Sequence, residues 1–162
     1  MESKKIPFIV GTWKGQGEVL SNGLKYEETS TFKLLKTEPC WVINYQQFTK
    51  HAETGAGLHA ESGFIKILPD GKHTTEIMLT HPFSVCEIYK NAVFNFDDNT
   101  LEAEALTEDC FQRGPTAKGK KITGVKRNYK IDSGKLVYDI QLAVDGGELK
   151  NHLHCELEKQ QD

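Results

Sequence analysis

The sequence predicts an all-β fold, an up-and-down antiparallel β-barrel of about ten strands. Two observations carry that reading. Short runs of β-branched and aromatic residues recur along the chain with turn chemistry between them. No stretch sustains the apolar period of a helix. Composition adds bounds. The 162 residues are 38% hydrophobic and 27% charged, enough apolar material for one core, which excludes disorder. No apolar run approaches the ~18 residues that a membrane-spanning helix needs. A formal net charge of −3 supplies no basic field for nucleic acid.

Taken in order, the chain opens on a candidate helical turn from Ser3 to Ile9, capped by Ser3. Two or three strands precede residue 40. Trp41 to Phe48 is dense in strand formers, and Gly63 to Leu68 stops at the turn Pro69-Asp70-Gly71 before Thr74 to Leu79. Phe83 to Tyr89, Ala92 to Phe96 and Thr100 to Leu106 follow, the last two separated by Asp97-Asp98-Asn99. Ile122 to Ile131 and Lys135 to Val144 flank Asp132-Ser133-Gly134, and Leu149 to Leu157 closes the series. Leu136, Tyr138, Ile140, Leu142 and Val144 share one strand face. Such a meander removes its edges by closing on itself, and about ten strands leave a lumen too wide for side chains alone. A ligand cavity is expected. Nothing divides the chain, so residues 1–162 read as one domain with its barrel at about 8–159.

Met1-Glu2-Ser3-Lys4-Lys5 lacks the apolar stretch of a signal peptide, and Cys40, Cys86, Cys110 and Cys155 form no Cys-x-x-Cys pair. Both features imply a cytoplasmic protein with reduced thiols.

The most unusual cluster is Gly11-Thr12-Trp13-Lys14-Gly15-Gln16-Gly17. Alternate glycines leave one strand face bare, suiting a barrel corner, a slot for a neighbouring aromatic, or a shelf for a planar ligand. His152-Leu153-His154 places two imidazoles on one face, in phase with Glu156 and Glu158. That phase points the histidines outward unless they sit near the barrel mouth or a bulge reverses the alternation before Glu156. A zinc site needs three or four converging ligands; His59 and His81 could join, but their spacing does not demand it. A single neutral imidazole can hold haem iron. Ser62 lacks the surroundings of a nucleophile elbow. Glu27-Glu28 and Asp97-Asp98 read as solvated rim or turn charges. Lys118, Lys120 and Lys121 lie in the basic loop 114–121, which reads as solvated.

Several segments together resemble the nitrobindin family, which also forms the C-terminal domain of some THAP-type proteins. Gly11 to Gly17 is similar to its GxWxGxG signature. Tyr26-Glu27-Glu28, Leu58-His59-Ala60-Glu61-Ser62-Gly63-Phe64-Ile65 and His81-Pro82-Phe83-Ser84-Val85-Cys86-Glu87-Ile88 resemble further family stretches. Leu149-Lys150-Asn151-His152-Leu153-His154 resembles its closing motif. The likeness spans Phe8 to Lys159. It implies a ten-stranded barrel, similar in plan to fatty-acid-binding proteins and lipocalins, that binds haem b with His152 as metal ligand and catalytic residue. It also implies cofactor contacts from Gly11, Trp13, Gly15, Gly17 and Lys120, with Lys121 the alternative lysine, and nitric oxide and peroxynitrite as ligands. The family is credited with isomerising peroxynitrite to nitrate, so the likeness implies either that turnover or ligand binding alone, in a monomer or weak homodimer. One departure is that Glu18-Val19-Leu20-Ser21-Asn22-Gly23-Leu24 replaces the family's further glycine and Tyr-Pro-Thr-Ile. The alternative function is a non-enzymatic carrier of a fatty acid or other apolar ligand, with Arg127 and Tyr129 available for a carboxylate.

Overall fold

A computed structural model describes residues 4–161. The strands are β1 (Gly11–Val19), β2 (Leu24–Lys36), β3 (Trp41–His51), β4 (Gly57–Ile67), β5 (Thr74–His81) and β6 (Val85–Asn95). They continue as β7 (Thr100–Ala105), the three-residue β8 (Phe111–Arg113), β9 (Ile122–Asp132), β10 (Lys135–Val144) and β11 (Lys150–Lys159). Neighbours pair antiparallel in chain order from β1 to β7, then β7 to β9, β10 and β11, and β11 returns to β1. Those ten strands close a ring. The additional strand β8 pairs with β6 at Val85 to Glu87, beyond the Val93–Asn95 stretch that pairs with β7.

The turns follow their chemistry. Asp70 accepts backbone N–H bonds from Lys72 and Thr74, bracing the β4–β5 connection. Ser133 and Gly134, at φ 52° and 79°, form the two-residue link from β9 to β10.

Three boundaries differ from expectation. Residues 4–9 form no helix: Phe8 and Ile9 make a turn in which Val10 N–H donates to the Pro7 carbonyl, and the proposed cap Ser3 lies outside the described residues. This segment instead covers one end of the barrel. Phe8 stacks on Phe94 at 5.0 Å, and the Trp13 and Trp41 indoles donate to the Ile9 and Lys5 carbonyls. Secondly, the runs Phe83 to Tyr89 and Ala92 to Phe96 are largely one strand, β6. A register shift opposite Thr75 and Ile77 moves the buried set from Val85, Glu87 and Tyr89 to Ala92 and Phe94, which makes one strand read as two. Thirdly, Val144 is exposed rather than in phase with Leu136, Tyr138 and Ile140; it ends β10 beside an irregularity in the ladder, where Ala143 pairs with Gly124 but Val144 pairs with Ile122 and leaves Thr123 of β9 unpaired.

Inside, the barrel is layered. Phe32, Trp41, Ile43, Ile67, Phe94 and Leu157 are among the apolar core. The middle layer is polar, and a cavity opens beyond it.

Candidate functional site

The cavity has a volume of about 300 Å³. Val19, Leu24, Leu58, Phe83, Ile122 and Leu142 supply much of its apolar wall, and Gln47, Glu61, Glu87 and Arg127 meet it from below. Val19 and Leu24 flank the short β1–β2 turn, where the sequence departs from the family pattern. At the mouth Leu58 and Phe83 remain 45% and 44% exposed, an apolar rim fit to be covered by a flat ligand.

His152 reaches this cavity through a bulge. Ile140 of β10 pairs with Leu153, but the next residue, Gln141, pairs with Asn151, so His152 is the extra residue of β11. The unpaired residue breaks the alternation, and both His152 and Leu153 line the cavity. The His152 carbonyl accepts from Leu20 N–H at 2.8 Å, holding the bulge against the end of β1. His154 keeps the outward phase and contacts Asp139 at 2.7 Å. Burial, and secondarily His59, lowers the His152 pKa, which favours the neutral imidazole. Its ring has no hydrogen-bond partner among the described residues. A neutral, half-buried imidazole beside apolar walls fits the proximal ligand of a haem.

The polar layer is an interlocked network. Arg127 donates to Glu61 through Nη1–Oε1 at 2.7 Å and Nη2–Oε2 at 3.0 Å, and its Nη2 lies 3.4 Å from Glu87 Oε2. Arg127 Nε donates to Tyr89 Oη, whose hydroxyl donates to Glu87. Tyr45 Oη donates to Glu61 Oε1 at 2.7 Å. Burial pushes the Glu61 carboxyl up, but the Arg127 charge and the donors around it outweigh that and hold it well below the carboxylate range. Glu87 is lowered likewise, burial being overcome by His81 and Arg127. Glu28 accepts from Tyr138, Ser30 and Gln47, yet burial dominates and raises it to about 7. Glu28 is therefore an interior residue, not the rim charge expected. Arg127 is already neutralised by internal carboxylates, so it and Tyr129 are not a free clamp for a fatty-acid headgroup.

Other sequence candidates lie elsewhere. Gly11, Trp13, Gly15 and Gly17 do not line the cavity. Trp13 is in the apolar core, paired with Lys159 on β11, and Gly11 is two residues farther from the mouth. A Cβ on Gly15 would overlap the Glu156 carbonyl, and one on Gly17 would overlap the Tyr26 ring. The bare face is thus a slot for Tyr26 and for the close approach of β11, in place of a ligand shelf. Lys120 is exposed in the loop after Arg113, outside the cavity lining. Its neighbour Lys121 lies 3.4 Å from Glu108. All four cysteines are free.

A closed antiparallel barrel with an apolar-walled cavity and an imidazole at its mouth defines a small-molecule-binding barrel. The chain belongs to a particular family of these: residues 2–159 match the model of the THAP4-like, heme-binding beta-barrel domain. It is similar to a protein named peroxynitrite isomerase 2 from Mycobacterium bovis, 27% identical over 159 residues covering 94% of this chain and 91% of that protein. A peroxynitrite isomerase from Arabidopsis thaliana is 29% identical over 157 residues, covering 95% of this chain and 86% of that one. Among solved structures, Rv2717c from M. tuberculosis superposes with a TM-score of 0.77 at 27% identity, covering 94% of this chain and 93% of that chain.

Proposed function

We propose that the protein binds haem b through His152, binds nitric oxide there and isomerises peroxynitrite to nitrate. The observation that carries this reading is the bulge that turns His152 from the outer face into the cavity. When bound, haem would supply a Lewis-acidic iron with a coordination position for the small ligand.

The chain's own residues do the rest. His152 offers its neutral lone pair, which its lowered pKa preserves. Val19, Leu24, Leu142 and Leu153 line the same cavity as His152 and make its wall apolar. Leu58 and Phe83 cover an apolar face at the rim. The ion pair of Arg127 with Glu61 leaves no free guanidinium to trap an incoming anion. Catalytic and metal roles both rest on His152 in this reading, and the protein works as a single domain in the cytoplasm, monomeric or weakly dimeric.

The test is titration of haem-free protein with hemin, followed at the Soret band, for wild type and His152→Ala. Stoichiometric binding lost in the variant supports the reading. A Soret band unchanged in His152→Ala overturns the ligand assignment. Mixing the haem-loaded protein with peroxynitrite and measuring the nitrate-to-nitrite ratio then tests turnover. A ratio no different from that of the haem-free protein removes the isomerase.

A further inference from the structure

In the same cavity, His59, Glu61 and His81 bring three donor atoms together. His59 Nε2 lies 3.4 Å from Glu61 Oε2 and 3.2 Å from His81 Nδ1. His81 Nδ1 lies 3.5 Å from Glu61 Oε2. An ion bound tetrahedrally at the ~2.0–2.1 Å of zinc–nitrogen and zinc–carboxylate bonds separates its ligands by about 3.3–3.4 Å. The three distances therefore describe one face of a coordination tetrahedron, with the fourth position toward the cavity that His59, Glu61 and His81 all line. We infer that His59, Glu61 and His81 form a binding site for a divalent first-row transition ion of the zinc class, separate from the haem ligand His152.

The surroundings supply what such a site requires. Ligating histidines are normally held through the second ring nitrogen by a carboxylate, and ligating carboxylates are themselves hydrogen-bonded. His81 Nε2 lies 3.0 Å from Glu87 Oε1. That nitrogen is buried without an aligned hydrogen-bond partner, although the side chain is only 3% exposed. An ion at Nδ1 would place the proton on Nε2, where Glu87 can accept it. Arg127 and Tyr45 both donate to Glu61 Oε1, and Arg127 Nη2 also donates to Oε2. The carboxylate is thus aimed while still offering Oε2.

Proton and charge counts agree. With both histidines neutral, at most two ring protons serve the three converging atoms, and placing a proton on His81 Nδ1 removes the one that Glu87 needs. With both histidines neutral, Glu61 and Glu87 share one guanidinium, which leaves one negative charge at this corner of the barrel. A divalent cation joins the three atoms without a proton on His81 Nδ1 and more than offsets that negative charge. Two histidines and one glutamate with a fourth position open is also the donor set of catalytic zinc sites. The inference does not depend on haem binding, because none of the three ligands is the residue assigned to haem.

The experiment uses the full chain, freed of haem and metal, titrated with Co²⁺ and followed by its d–d absorption. Zn²⁺ titration calorimetry gives the stoichiometry. The expected result is one ion per chain with the intense visible bands of tetrahedral Co²⁺. Binding should weaken at least tenfold in His59→Gln and in His81→Gln, and should persist in His152→Ala. Zn²⁺ should also raise the unfolding temperature of wild type, a readout that holds if a histidine variant folds poorly. No stoichiometric binding, weak octahedral spectra, or binding lost in His152→Ala with the other variants unaffected would each overturn the site. The hemin titration of wild type reports on the haem ligand separately, so the two readings can fail independently.

Discussion

Arg127 and Glu61 join opposite walls of the barrel through two parallel hydrogen bonds, Nη1–Oε1 at 2.7 Å and Nη2–Oε2 at 3.0 Å. The residues sit on β9 and β4, which share no ladder, so the pair spans the lumen. Both side chains are at most 4% exposed. Removing one partner of such a pair leaves a buried charge without compensation and costs about 3–5 kcal/mol. Arg127→Met strands two carboxylates, Glu61 and Glu87, and should approach the upper end. Glu61→Gln leaves Glu87 beside the guanidinium and keeps an acceptor, so it should cost less. Urea unfolding of the two variants gives the ranking; equal losses would mean that Glu87 carries no share of the pairing.

Glu28 imposes a pH dependence of opposite sign to its carboxylate neighbours. Burial raises it from the ordinary 4.5 to about 7 despite its hydrogen bonds to Tyr138, Ser30 and Gln47. A carboxyl raised in the folded state contributes stability that is complete below pH 4.5 and lost as pH rises through 7. A shift of this size corresponds to about 3 kcal/mol. Glu61 and Glu87, being lowered, contribute above pH 4.5 and lose that contribution as pH falls through their folded values. The two windows are separate. Glu28→Gln can keep the acceptor for Tyr138 and should flatten the wild-type decline between pH 4.5 and 7. An unaltered decline in denaturant midpoints across that range would remove Glu28 as its cause.

His152 has its pKa lowered, by burial first and by His59 second. A base depressed in the folded state stays neutral below the ordinary 6.5 and becomes charged only as pH falls through its folded value. A ligating nitrogen must be unprotonated, so hemin bound through His152 should survive acidification past pH 6.5 and dissociate below it. Soret absorbance against pH provides the curve, and proton NMR of the haem-free protein locates the imidazole titration. Release centred at or above pH 6.5 would contradict the burial assigned to this ring.

The barrel was legible because its signals are local. Asp132-Ser133-Gly134 marks a two-residue turn, and Leu136, Tyr138 and Ile140 alternate into the interior as their spacing requires. His152 was legible as a ligand type but not as an inward residue. A bulge adds one residue without any compositional mark, and only the pairing of Ile140 with Leu153 and Gln141 with Asn151 reveals it. The buried carboxylates are hidden in the sequence for another reason. Alternation assigns charge to the outside, whereas ion pairing lets Glu61 and Glu87 lie inside. A signal did exist: Glu28 is in phase with Tyr26 and Phe32, and Glu87 with Val85 and Tyr89, so each acid sits among residues that belong in a core. The joining of His59, Glu61 and His81 depends on the register of β4 against β5, which residue types alone do not specify.

Gly15 and Gly17 share a strand face and should nevertheless fail differently when given a side chain. A Cβ on Gly15 would overlap the Glu156 carbonyl and stand 2.9 Å from Leu157 Cα, both in the backbone of the paired strand. Gly15→Ala must therefore push β11 away from β1, a cost of about 1–3 kcal/mol or more that no side-chain change relieves. The nearest atoms that a Cβ on Gly17 would meet belong to the ring end of Tyr26, which lines the cavity. Gly17→Ala should displace that ring into the cavity, lowering hemin affinity about tenfold with a smaller loss of stability. Replacing the ring in the double variant Gly17→Ala/Tyr26→Ala should restore the space and most of the affinity relative to Tyr26→Ala alone, whereas Tyr26→Ala should not rescue the stability of Gly15→Ala. Hemin titrations and urea midpoints of wild type and the five variants separate the two effects. Equal affinity losses in both glycine variants would mean that the slot serves the ladder alone and not the cavity.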